Sequence, residues 1–380
     1  MHRHHFYLLM RHVRWLLLAA LIVGPAKAGD DGFAQVSGPC GLSFPADHGP
    51  HPDYRTEWWY YTGNVADPDG RPFGFQLTFF RSRLTSPADR RKWPQPASAW
   101  RSDQIYLAHA AVSDVAGLGH LQAERVARPV LGLAGAGIVD GTVTIDLHAW
   151  QAIIAPEGHR LRADDDRFTL QMDLTPAKPP VRHGDDGYSR KGQSPQQASC
   201  YYSFTRLRAS GTITVDGHRH RVSGSAWMDH EFSTAPLQPG ITGWDWFSLQ
   251  LSDRTELMVY LLRHADGSLN PASSGTYVLP SGQARPLGRG DFQIVPRSFW
   301  TSPHSAARYP VAWSVTVAAL DLELIVTARL PDQEMRTPAS TGVTYWEGSV
   351  QVEGRQDKMD VDGVGFVELT GYATPFDAPM

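Results

Sequence analysis

Apolar and polar residues alternate with a period of two through most of this chain, and helical periodicity is scarce. Residues 71–80 (RPFGFQLTFF) follow the turn Asp67-Pro68-Asp69-Gly70, and residues 104–112 (QIYLAHAAV) form a further strand. Alternation recurs through Val143, Ile145 and Leu147, and again over residues 167–174 (RFTLQMDL). Residues 211–215 turn at Asp216-Gly217 and return through 220–226. Residues 246–251 turn near Asp253 and return as ELMVYLLR over 256–263. Runs at 311–320, 322–330, 345–352 and 365–372 complete the series. Short strands at intervals of about 8–12 residues predict an all-β sandwich or barrel. A loose symmetry refines this: Glu57-Trp58-Trp59-Tyr60 opens one half and Gly243-Trp244-Asp245-Trp246-Phe247 the other. Two related antiparallel β-barrels in tandem would produce it. Residues 234–242 carry Pro236, Pro239 and Gly240 and read as the linker, which places the domains at 29–233 and 234–380. Two loops, 82–103 and 176–199, have the length of lids or binding loops.

Residues 1–28 have the form of a secretory signal peptide. Arg3, Arg11 and Arg14 precede the apolar run WLLLAALIVG, and Ala26-Lys27-Ala28 is a cleavage site. The expected location is periplasmic or secreted, with no stable membrane span, since a span takes about 20 apolar residues. Without the four cations of that segment, 31 basic residues face 39 acidic ones, a net charge of −8. Such mild acidity argues against a nucleic-acid partner. Export permits a disulfide between Cys40 and Cys200, the only two cysteines, but their positions in the chain leave open whether they meet.

Two constellations carry candidate chemistry. Arg55, Glu57, Trp58, Trp59, Tyr60 and Tyr61 place four consecutive aromatics after an Arg and a Glu. They read either as the wall of an apolar pocket with a polar rim or as plain barrel core. The pair Tyr201 and Tyr202, in the segment Ala198-Ser199-Cys200-Tyr201-Tyr202-Ser203, extends the same set. The second constellation is Trp227-Met228-Asp229-His230-Glu231. On a strand, Asp229 and Glu231 share one side and His230 takes the other unless a bulge re-aims them. His230 suits acid–base work with a carboxylate orienting it, or else these groups tie a domain junction together. His218 and His220 flank a turn and read as a solvated edge. The chain has no zinc spacing, no phosphate loop and no nucleophile elbow, so neither metal nor cofactor is expected.

These motifs resemble the exported AttH-type proteins, often labelled predicted secreted hydrolases, which are related to carotenoid 1,2-hydratase. The resemblance lies in Glu57-Trp58-Trp59-Tyr60-Tyr61-Thr62-Gly63, Tyr201-Tyr202-Ser203 to Arg206, Trp227-Met228-Asp229-His230-Glu231, Gly243-Trp244-Asp245-Trp246-Phe247, and Tyr345-Trp346-Glu347-Gly348 with Gly371-Tyr372. It implies two lipocalin-like barrels packed together and an apolar cavity. The expected function is binding of an apolar, lipid- or terpenoid-like small molecule, with an ABC-transporter permease as a possible partner. Trp58, Trp59, Tyr60, Tyr61, Tyr202, Trp227, Trp244 and Trp246 would line the site, with Arg55 and Glu57 at its polar end. The alternative is a hydratase in which Asp229 or Glu231 protonates an alkene and His230 activates water. A secreted hydrolase ranks third.

Overall fold

The computed structural model describes residues 32–376 apart from 97, 235 and 236; the predicted signal peptide lies outside the described residues. Strands dominate. The first sheet has 13 strands, all antiparallel, and curls around a core that includes Trp59, Tyr61, Phe75, Phe79, Trp150 and Phe204. The second has 10 strands around Phe247, Trp313, Trp346 and their neighbours. Both halves use the same central arrangement. The Trp-rich opening strand pairs with its hairpin partner on one side and with the last strand of its sheet on the other. In the first half Thr56–Ala66 lies between Pro72–Arg83 and His218–Ser233; in the second, Ile241–Leu251 lies between Glu256–His264 and Met359–Thr370. The symmetry read in the sequence is therefore topological.

Bulk fills both interiors. Trp59, Trp150, Trp227, Trp313 and Trp346 are all fully buried. The two sheets meet along the outer faces of their central strands, and at one point their backbones come close: a Cβ added to Gly74 would lie 2.6 Å from Ser349 Cβ. Beside it, Asn64 donates from Nδ2 to the Gly365 carbonyl at 3.0 Å and accepts from the Ser349 hydroxyl.

Two further ties hold the architecture. Cys40 and Cys200 form a disulfide with a Cα–Cα distance of 5.9 Å, fastening the segment before the first strand to the long strand Ala198–Val215. That strand breaks register between Phe204 and Leu207. A bulge of this kind re-aims side chains, and here Arg206 reaches the second sheet, donating from Nε to Glu256 Oε1 at 2.5 Å. The 176–199 loop adds Lys178, whose Nζ donates to Glu256 Oε2 at 2.6 Å and to the carbonyls of Arg254 and Leu279. Glu256 is wholly buried. Removing one member of a buried ion pair strands the others, at a cost of about 3–5 kcal/mol. Glu256→Ala should accordingly lower the urea midpoint strongly, whereas Glu353→Ala, an exposed control on the same domain, should leave it within experimental error.

Candidate functional site between the two barrels

A cavity of about 230 Å3 lies in the seam between the sheets, not inside either barrel. The first sheet contributes Trp58 and Tyr60, Thr78 and Phe80, Tyr201, and Asp229 and Glu231. The second contributes Trp244 and Trp246, Tyr260, Glu347 and Glu368. The pairing register explains why these residues meet. Trp58 stands opposite Glu231 and Tyr60 opposite Asp229 on one pair of strands, and Asp229 stands opposite Ser203 on the next. Across the seam, Trp246 faces Tyr260 on one side and Glu368 on the other, and Glu347 stands opposite Glu368.

Alternation sends the intervening residues the other way, which corrects part of the expected wall. Trp59, Tyr61 and Tyr202 point into the first barrel's core. Within the aromatic segment at 201–202 it is Tyr201 that lines the cavity. Trp227 packs behind the wall and donates from Nε1 to Asp229 Oδ1 at 2.6 Å. The Arg55 guanidinium lies 4.8 Å over the Phe33 ring rather than at a cavity rim. His230 faces away from Asp229, into the barrel. No bulge interrupts the pairing of Thr56–Ala66 with His218–Ser233, so Asp229 and His230 keep the opposite faces that alternation gives them.

His230 belongs instead to a buried hydrogen-bonded chain. Its Nε2 donates to Glu57 Oε1 at 2.9 Å, and its Nδ1 accepts from the Tyr202 hydroxyl at 3.1 Å. Tyr202 in turn accepts from His48 Nδ1 at 2.7 Å. On the far side His51 donates from Nδ1 to Glu57 Oε1 at 2.8 Å and from Nε2 to Asp47 Oδ1 at 3.0 Å. Arg81 closes on Glu57 Oε2 at 2.8 Å. These proton positions follow from the environment. Burial drives His48 down to about 4 and also lowers His230, so both rings are neutral. Burial opposes charge on His51 as well, but its bonds to Asp47 and Glu57 outweigh that and raise it to about 9. Glu57 stays well below the usual carboxylate range: its bonds from His230 and His51 and the Arg81 charge overcome its burial. His51, Glu57 and His230 are a group of metal-type donors whose ligand atoms lie within 4.8 Å of one another. Arg81 on Glu57 and the hydrogen bonds to every one of those ring nitrogens engage all three donors, while Arg81 Nη1 is buried without a partner.

The seam has the opposite electrostatics. Burial raises Asp229 to about 7 against three donors, Ser203, Trp227 and the Tyr201 hydroxyl at 2.9 Å. Glu368 reaches about 7 for the same reason, against bonds from Thr370 and Trp244. Burial raises Glu347 well above the usual carboxylate range, with the facing Glu368 adding to the rise and the bond from the Tyr60 hydroxyl, 2.5 Å from Oε1, opposing it. Only Glu231 among these four carboxylates faces a nearby cation. Lys191, brought in by the 176–199 loop, lies 3.4 Å from Glu231 Oε1 and 4.1 Å over the Tyr260 ring. Glu347, Glu368 and Lys191 were not among the expected site residues. An acid within the otherwise apolar run Tyr345-Trp346-Glu347-Gly348 was the available signal for Glu347.

A paired-barrel scaffold with an acid-lined seam defines the class of protein, and comparison with known proteins gives its family. Residues 35–372 match the AttH-like family model, and the chain belongs to that family. A protein assigned to AttH from Nitrosomonas europaea is 36% identical, with a TM-score of 0.79 over 90% of this chain and 100% of that one. Kievitone hydratase from Nectria haematococca is similar in fold, with a TM-score of 0.67 at 14% identity over 92% of this chain and 98% of its own. CghA, solved with Sch210972, matches at a TM-score of 0.53 and 13% identity over 90% and 97% of the two chains. No curated protein matches the sequence.

The His51 arrangement makes a pH prediction. A group whose pKa is raised on folding contributes stability below its unfolded value, near 6.5, and loses that contribution as pH climbs through its folded value, about 9. His51→Gln should therefore be destabilising at pH 6 and much less so at pH 9.5. Urea unfolding of both proteins at the two pH values isolates this from the seam carboxyls, which titrate alike in each.

Proposed function

We propose that the seam cavity binds an apolar small molecule and promotes acid-assisted addition or loss of water at a carbon–carbon double bond. The observation that carries this reading is the set of buried carboxyl groups, Asp229, Glu347 and Glu368, facing one aromatic-walled cavity. A carboxylic acid that holds its proton near neutral pH is a proton donor, and an apolar enclosure is what keeps it so. In the hydration direction an acid O–H bond breaks as a new C–H bond forms from the alkene π electrons. The resulting cation lies beside a new carboxylate and the ring faces of Trp58, Trp244 and Trp246, which attract positive charge. Water then forms the C–O bond and returns one proton to a carboxylate. Asp229 fits this exchange because three donors fix its position and make its ionised form accessible. The fold likeness to kievitone hydratase supports the same direction, as a likeness of scaffold.

Incubation with an acyclic isoprenoid panel (myrcene, farnesol, squalene) in 18O-labelled water, followed by mass spectrometry, tests the proposal. Labelled hydration product is expected. Asp229→Asn should reduce its rate by about 10²–10⁴-fold, the usual contribution of a positioned acid or base, while His230→Gln retains it if folded. Binding of the panel without labelled product would leave a carrier. Absence of both would remove the proposal.

A further inference from the structure

Three residues that line the cavity carry an unpaired buried polar atom: Arg81, whose Nη1 has no partner while its Nε is held by Glu57, and the pair Glu347 and Gln76. Glu347 accepts the Tyr60 hydroxyl through Oε1, while its Oε2 has no partner. Gln76 gives its amide N–H to Thr78 Oγ1, which leaves Oε1 without one. Each residue is 1% exposed and each lines the cavity. The register sets Glu347 and Gln76 at one end of it. Gln76 stands opposite Thr62, the next residue on the same face as Tyr60. Ser349, the next residue on the face of Glu347, bonds to Asn64, the next beyond Thr62. Gln76 and Glu347 thus border the point where the two sheets close together. Folded interiors leave few such atoms unmatched, and these two face a space large enough for a guest.

We propose that this end of the cavity binds the hydroxyl group of a neutral, otherwise apolar ligand, with Glu347 donating from Oε2 and Gln76 accepting at Oε1. The ligand class presupposes that the seam is a binding cavity, as proposed above, but not that turnover occurs. Glu347 stands opposite Glu368, and like charges directly opposite on a sheet repel, so one of the pair keeps its proton. The burial and orphaned oxygen of Glu347 make it the donor. Gln76 Oε1 can only accept. A hydroxyl satisfies both, accepting from one and donating to the other. An ether or carbonyl oxygen would leave Gln76 Oε1 unpaired, a carboxylate would meet it lone pair to lone pair, and an ammonium would require Glu347 to ionise.

The test is tryptophan-fluorescence titration at pH 6 with four ligands of one chain length: 1-octanol, methyl octyl ether, octanoate and octylammonium. The alcohol should bind about tenfold more tightly than each of the others, the range of a hydrogen-bond pair that would otherwise be left unmade. Glu347→Gln, which keeps a donor, should preserve the preference, and Gln76→Leu, checked for folding by circular dichroism, should abolish it. Tightest binding by octylammonium, or equal affinity for the alcohol and the ether, would overturn the hydroxyl assignment while leaving the cavity reading intact. Binding by none of the four would overturn both.

Discussion

The antiparallel pairing of Thr56–Ala66 with His218–Ser233 is the constraint on which the rest of the molecule depends. These strands lie side by side near the middle of the first sheet, and Thr56–Ala66 and the stretch of its partner over residues 226–233 are buried on both faces. One face belongs to the barrel core and the other to the seam. Trp59 and His230 are held inside, Tyr60 and Asp229 outside, by nothing more than the period of two. A slip of one residue would exchange the two sets. It would put carboxylates into the barrel core and the histidine chain into the seam. The uninterrupted eleven-residue strand Thr56–Ala66, flanked by pairing on both sides, makes that exchange costly.

The two faces solve the burial of charge in different ways. Inside the barrel, Glu57 is ionised and answered by Arg81, by a protonated His51 and by a neutral His230 that donates to it. At the domain junction, Glu256 is answered by Lys178 and Arg206. In the seam, only Glu231 has a cation, Lys191. Asp229 is answered by neutral donors, and Glu347 and Glu368 stand side by side. The first two arrangements are stable as ion pairs and have little freedom to exchange protons. The third lowers the cost of burial by raising the pKa of its acids, and Asp229 and Glu368 change charge near pH 7. Structural and chemically responsive polar clusters are therefore separated by the thickness of a single sheet.

Much of the fold was legible in the sequence because alternation and turn residues report strands directly. The Trp-rich openings at 57–60 and 243–247 reported two halves of one plan. The parity of Asp229, His230 and Glu231 was also readable, since it needs only a strand without a bulge. Which face looked onto a cavity was not readable. Trp58-Trp59-Tyr60-Tyr61 is apolar on both sides because both sides are buried, so hydrophobicity cannot distinguish core from seam. Of the pair Tyr201 and Tyr202, only Tyr201 stands in the wall, and the sequence could not separate them for the same reason. Glu347 and Glu368 become significant only as cross-strand neighbours in a buried seam, and that adjacency joins residues of two strands that the sequence does not visibly pair. The meeting of Cys40 with Cys200 across 160 residues is likewise a product of the tertiary fold.

The location of the cavity follows from the packing. Each barrel is filled by its own large side chains, and the cavity lies outside both cores. Where two curved sheets meet, their outer faces cannot conform along their whole length, and contact at Gly74 and Ser349 leaves a gap elsewhere. Domain interfaces are a common place for small-molecule sites for this reason. The fold likeness to kievitone hydratase spans 92% of this chain and 98% of the other, and therefore includes both barrels and the seam between them. At 14% identity, that likeness is one of scaffold. The chemistry has to be supplied by whichever side chains alternation turns outward, and here those are carboxylic acids set among indole and phenol rings.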